Sequence, residues 1–143
     1  MNYAQTVITA FGLNKTEGQI ALELEVEGKN LPSINTKLWT THTDGSLKLG
    51  GMEYVHNGPK MIDEVYESLK NFEDRLVKKE STVYESERTS VHAHLNMQDK
   101  TVKQVLQAAT AYYMLEPALM NLAGEKRKGN LFCLTMEAAH PRS

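Results

Sequence analysis

GQIALELEVEG, residues 18–28, decides how the rest of the chain is read. Apolar and acidic side chains alternate through it. Ile20, Leu22, Leu24 and Val26 fall on one side of an extended backbone, and Ala21, Glu23, Glu25 and Glu27 on the other. A period of two marks a strand with one buried face. Carboxylates in a row repel one another. Either they point into solvent, where repulsion costs little, or they share a divalent cation. Mg2+ and Mn2+ prefer carboxylate oxygens, and one cation relieves the repulsion of two neighbours. Glu27, beside Gly28 at the strand end, is expected to be exposed.

Outward from this strand, KNLPSIN (29–35) reads as a loop. TKLWTTHTDGSLKLGGMEYVHNGP (36–59) carries turn signals at Asp44-Gly45 and Gly50-Gly51, which leave short strands near 37–40 and 51–56. Glu53 lies in the second of these. It gains meaning only if the sheet brings it beside Glu25. Gly58-Pro59 then opens a helix, since proline is acceptable in a first turn. Ile62, Val65, Leu69, Phe72 and Leu76 predict an amphipathic helix over 60–79. STVYESERTSVHAHLNM (81–97) reads as loop, then strand. In that strand His92 and His94 are two apart, so both imidazoles project from one face. Asp99 or Thr101 can cap a second helix over 101–123, lined by Val102, Val105, Leu106, Ala109, Tyr113 and Met120 and ended by Gly124. GNLFCLTM (129–136) is a strand or a loop. This order predicts an α+β fold: a mostly antiparallel sheet with two long helices packed on one face.

The chain has 143 residues, a single-domain length. The formal net charge of -2 gives no electrostatic reason to expect nucleic acid or a membrane surface as partner. Cys133 is the one cysteine, so no internal disulfide can form, and a reducing compartment is expected. MNYAQTVITAFG lacks the basic start and apolar core of a secretion signal, and no apolar run approaches the ~20 residues that span a bilayer. The expected location is the cytoplasm.

Zinc is the first thought for paired imidazoles. The chain has no second cysteine and no His-x-x-x-His pair, however, and its abundant carboxylates suit Mg2+ or Mn2+ better. Lys126, Arg127 and Lys128 follow the second helix. They complement its dipole, or they clamp a phosphate, for which the arginine fork is well shaped.

Four motifs in order carry a resemblance: the ALELEVEG strand, DGSLK with GGMEYVHNGP, RTSVHAHLN, and LEPALMNLAGEKRKGNLFCL. Over residues 18 to 135 the chain resembles the amidoligases. They are a branch of the glutamine synthetase and glutamate–cysteine ligase superfamily that is common in phages and bacteria. The resemblance implies a glutamine synthetase-like catalytic fold, whose concave sheet face carries metals and nucleotide. It also implies an ATP-dependent carboxylate–amine ligase, in which ATP phosphorylates a carboxylate and an amine displaces the phosphate. Cations neutralise the triphosphate in such chemistry.

Carried over by motif, Glu23 and Glu25 correspond to paired metal ligands, Glu53 to a further carboxylate ligand and His92 to the imidazole ligand. Glu25, Glu53 and His92 are thereby the implied catalytic residues, and His94 and Arg127 the implied contacts to ATP phosphates. The implied cofactors are ATP and Mg2+ or Mn2+. The implied partners are a small-molecule or peptide carboxylate, an amine, and either further copies of the chain or a complementing C-terminal segment. The family's late Glu-Phe-Arg strand has no counterpart before the chain stops at MEAAHPRS, so the domain is expected to be incomplete at its C-terminus. Two readings from other classes stand beside the ligase. One is a non-catalytic glutamine synthetase-like binding or assembly protein. The other is a hydrolase whose metal, held by the same cluster, activates water.

Overall fold

In the computed structural model, which describes residues 17–48, 50–129 and 135–136, the alternating stretch is strand β1, Ile20–Lys29. It is the central strand of the sheet. On one side it pairs with β3 (Met52–His56), outside which lies β2 (Trp39–His42). On the other side it pairs with β4 (Thr82–Tyr84) and β5 (Ser90–Leu95). These pairings are all antiparallel. β4 and β5 lie end to end along β1, so residues 85–89 loop out of what would otherwise be one long strand. Gly28 lets β4 approach this closely, because a Cβ there would collide with the Thr82 carbonyl.

The strand phase read from the sequence holds. Leu22 and Leu24 are buried, together with Trp39 and Tyr54, on one face of the sheet. Helix α1, Ile62–Lys78, covers that face with Val65, Ser68 and Phe72. Trp39 and Tyr54 are fully buried and bring polar atoms with them, and both are satisfied. The Trp39 indole N–H donates to the Ser68 carbonyl at 3.0 Å, and the Tyr54 hydroxyl donates to the Pro32 carbonyl at 2.9 Å. Phe72 meets Tyr54 edge-on, with ring centres 4.7 Å apart.

Boundaries differ from the sequence reading for local reasons. α1 starts at Ile62 because Lys60 pairs with Ile20 of β1 instead, its N–H donating to the Ile20 carbonyl at 2.7 Å. The N–H of Met61 then donates to the Glu64 carboxylate at 2.8 Å and closes the helix end. β2 starts at Trp39 because the Thr36 hydroxyl accepts the N–H groups of Leu38 and Trp39 and holds a turn before it. Thr82–Tyr84, read as loop, is a strand, since its backbone completes the edge of β1.

The second helix, α2, runs over Val102–Ala123. Thr101 caps it by accepting the Gln104 N–H, and Gly124 ends it at φ 90°. Its packing corrects the expectation that both helices cover one face. Val91 and Leu95, which pair with Leu24 and Ile20 and so lie on the apolar side of the sheet, are exposed, as are Val102, Leu106 and Tyr113 from the helix's own expected inward side. A short 3-10 turn, Glu125–Arg127, ties the far end of α2 to the 85–89 loop through Arg127 and Lys126. The helix therefore returns along the β5 side of the sheet without covering it. Periodicity shows that a helix has an apolar face, but not what meets that face. Residues 130–134, with Cys133, lie outside the described residues, and so does most of the strand or loop read at 129–136. Among the described residues, no helix is long and apolar enough to cross a membrane.

Candidate metal centre

The face of the sheet turned away from α1 collects the chemistry. Strand pairing puts Glu23 opposite His92, Glu25 opposite both Glu53 and Ser90, and Ala21 opposite His94. Directly paired residues share a face, so Glu23, Glu25, Glu53, His92 and His94 all project together. The convergence expected of the first four is what the register produces.

The side chains of Glu25, His92, Glu23 and His94, together with Ser90, form one continuous chain of contacts. The Ser90 hydroxyl donates to Glu25 and lies 2.8 Å from His92 Nε2. His92 Nδ1 is 2.8 Å from one oxygen of Glu23, and His94 Nε2 is 3.2 Å from the other. His92 Nε2 is also 3.7 Å from Glu25. Glu23 thus bridges both imidazoles. Glu23, His92 and His94 each offer a ligand atom, and these atoms lie within 4.8 Å of one another. The tightest ligand set therefore includes His94, which the resemblance assigns to ATP. Glu25 and Glu53 flank this set.

The carboxylates feel one another. Partial burial pushes the Glu53 pKa up, and the charges of Glu23, Asp44 and Glu25 push the same way, while His42 opposes them. Asp44 is held below the usual carboxylate range, first by the Ser46 N–H and then by the Ser46 hydroxyl, at 2.8 and 2.7 Å. Glu25 and His92 add to that lowering. Glu27 departs from the expectation of exposure. It is buried under the turn that follows Asp44, and its carboxylate accepts the Lys48 N–H at 2.7 Å. It braces that turn and takes no part in the open cluster.

Arg127 is engaged elsewhere. Its guanidinium donates to the carbonyls of Glu87 and Thr89, where the chain enters β5. Arg88 of the same loop donates to the Ser46 carbonyl at 2.7 Å. The loop is thus strapped between the Asp44 turn and the end of α2, which fixes the start of the histidine strand.

Three residues of the cluster were missed in the sequence. Ser90 had a signal, being two before His92 and so on the same face. Asp44, followed by Gly45, reads locally only as a turn residue. His42 enters through its register opposite Glu53, which no local pattern reveals. No family model matches the chain, and no curated protein or solved structure matches it.

Proposed function

We propose that the chain is an ATP-dependent carboxylate–amine ligase domain of glutamine synthetase-like fold, built around a divalent metal centre on the open sheet face. The observation that carries this reading is the convergence of Glu23, Glu25, Glu53, His92 and His94 from three strands, with Glu23 touching both imidazoles. Glu23, His92 and His94 would hold one divalent ion, for which Mn2+ fits the two imidazoles better than Mg2+ does, and Glu25 and Glu53 would hold or steer a second, Mg2+ or Mn2+. Bound there, such ions would supply the positive charge that ATP-dependent carboxylate activation requires. The chain's own carboxylates, left bare, repel a triphosphate, so nucleotide binding should depend on metal. Arg127 acts through the loop it straps, setting the position of Ser90 and His92. The acid is a small-molecule or peptide carboxylate, the acceptor is an amine, and the site of action is the cytoplasm.

Calorimetric titration with ATP, with and without Mg2+, tests this. Wild-type chain should bind ATP only with metal. Glu25→Gln should weaken that binding roughly tenfold or more, the usual scale for losing a metal-site partner. A chain that ignores ATP under both conditions overturns the ligase reading.

A metal-dependent hydrolase is the second reading. It is favoured by the openness of the cluster, in which the side chains of His92 and His94 are 43% and 57% exposed and leave coordination positions to water. Mn2+ binding that Glu23→Gln abolishes, with no nucleotide binding at all, would support it over the ligase.

A further inference from the structure

Helix α2 is apolar over most of its circumference, apart from one polar strip. Its only charged residues are Lys103 and Glu116, and Glu116 is buried, accepting the Met136 N–H at 3.0 Å. A helix of that composition belongs inside a protein. Yet most of its large side chains face solvent.

Exposure extends to Val102, Leu106, Tyr113 and Met114 as well, but one row of the exposed residues carries a regular repeat. Val105, Ala108, Tyr112, Leu115, Leu119 and Leu122 follow one another at alternating spacings of three and four, the repeat of a two-helix seam. Val105 is 39% exposed, Tyr112 51%, Leu115 56%, Leu119 42% and Leu122 84%. The covered side of the helix, with Glu116 and Met120, lies to one side of this seam. Lys103, Gln107, Thr110 and Asn121 lie on the far side. The seam is therefore neither the docked face nor the polar face.

We infer that this seam is a contact between two copies of the chain, the α2 helices packing against each other about a two-fold axis. A three-four seam fits another helix bearing the same repeat. An identical copy supplies that repeat, and an isologous contact needs only one self-complementary patch. No seam residue is charged, so identical copies meet without repulsion. The exposed parts of the six side chains amount to on the order of 500 Å2 per copy, and two copies together reach about 1,000 Å2, where specific interfaces begin. This inference stands apart from the ligase reading and uses none of its residues.

The test is the mass of the full chain in solution. Sedimentation velocity from about 1 to 100 µM brackets the affinity expected of so small an interface. The wild-type mass should rise from 16.1 kDa towards twice that value across the series. Leu115→Lys with Leu119→Lys should hold it at 16.1 kDa with unchanged helical circular dichroism. Met114→Lys, at a position 75% exposed but off the seam, should dimerise like wild type. Should the lysine pair cost the fold, Leu122→Gln at the most exposed seam position takes its place. A wild-type chain that stays at monomer mass throughout overturns the inference, and so does a Met114→Lys variant that dissociates like the seam variant.

Discussion

His56 and His92 flank β1 from opposite sides, one on β3 and one on β5, and they point to opposite faces of the same sheet. His56 is buried with both ring nitrogens used. Nδ1 accepts the Leu22 N–H at 3.1 Å, so Nε2 carries the proton and donates to the Ser68 hydroxyl at 2.8 Å. That hydroxyl in turn donates a hydrogen bond to the Val65 carbonyl at 2.7 Å. The ring lies 3.9 Å from Trp39. His92 is open to solvent and faces carboxylates. The residue type is the same, but parity against β1 makes one histidine part of the packing and leaves the other free for chemistry. The core face is satisfied and dry, and the other face is charged and wet. Substitutions on the two faces should therefore move stability in opposite directions.

The largest effect belongs to the core face. Trp39→Ala removes a fully buried ring, its bond to the Ser68 carbonyl and its contacts with His56 and Phe72. The loss should be about 3–5 kcal/mol, a large part of the ~5–15 kcal/mol that stabilises a typical domain. Urea unfolding reads it directly. A loss below about 1 kcal/mol would mean that α1 and the sheet do not share this core.

The next effect is a pH dependence set by His56. Burial, with Lys60 nearby, lowers its pKa from 6.5 to about 4. Above pH 6.5 the ring is neutral whether the chain is folded or unfolded, and the full stability is present. Between 6.5 and about 4 the unfolded chain takes up a proton that the folded chain refuses. Stability should fall as pH falls through that window, by up to roughly 3 kcal/mol. His56→Gln should be less stable at pH 7 but should lose less on going to pH 5. An unchanged slope would place the titrating group elsewhere.

The contrast between faces was legible in GQIALELEVEG, because a period of two fixes which side chains share a side. The same rule, applied to RTSVHAHLN, united His92 and His94 and could have added Ser90. Glu53 and His42 joined the cluster through register, which depends on how strands pair across the sheet and leaves no local trace. The role of Glu27 was hidden for a similar reason, since its partner is the backbone of a turn 21 residues away. The register of α1 was plain from its apolar stripe. That stripe fits one sheet face, whereas α2 is apolar on several sides and names no single partner.

The smallest effect is the most direct test of the charged face. Glu25 and Glu53 oppose each other directly across β1 and β3, with Glu23 and Asp44 acting on the same group. Like charges opposed across strands destabilise a sheet. Accordingly the pKa of Glu53 is raised above 4.5, by burial first and by its acidic neighbours after that. For an acid shifted in that direction, stability is complete below the ordinary pKa and declines as pH rises through the folded one. At pH 7 the wild-type chain bears that decline in full, and Glu53→Gln removes it. In EDTA at pH 7 the variant should be more stable than wild type by less than about 1 kcal/mol, with the gain vanishing near pH 4. Mn2+ should then stabilise wild type by binding only its folded state and should close or reverse the gap. Thermal melts of both proteins in EDTA and in Mn2+ give the four values needed. A Glu53→Gln variant less stable than wild type in EDTA would show that these carboxylates are at rest, and the electrostatic reason for placing a cation among them would be gone.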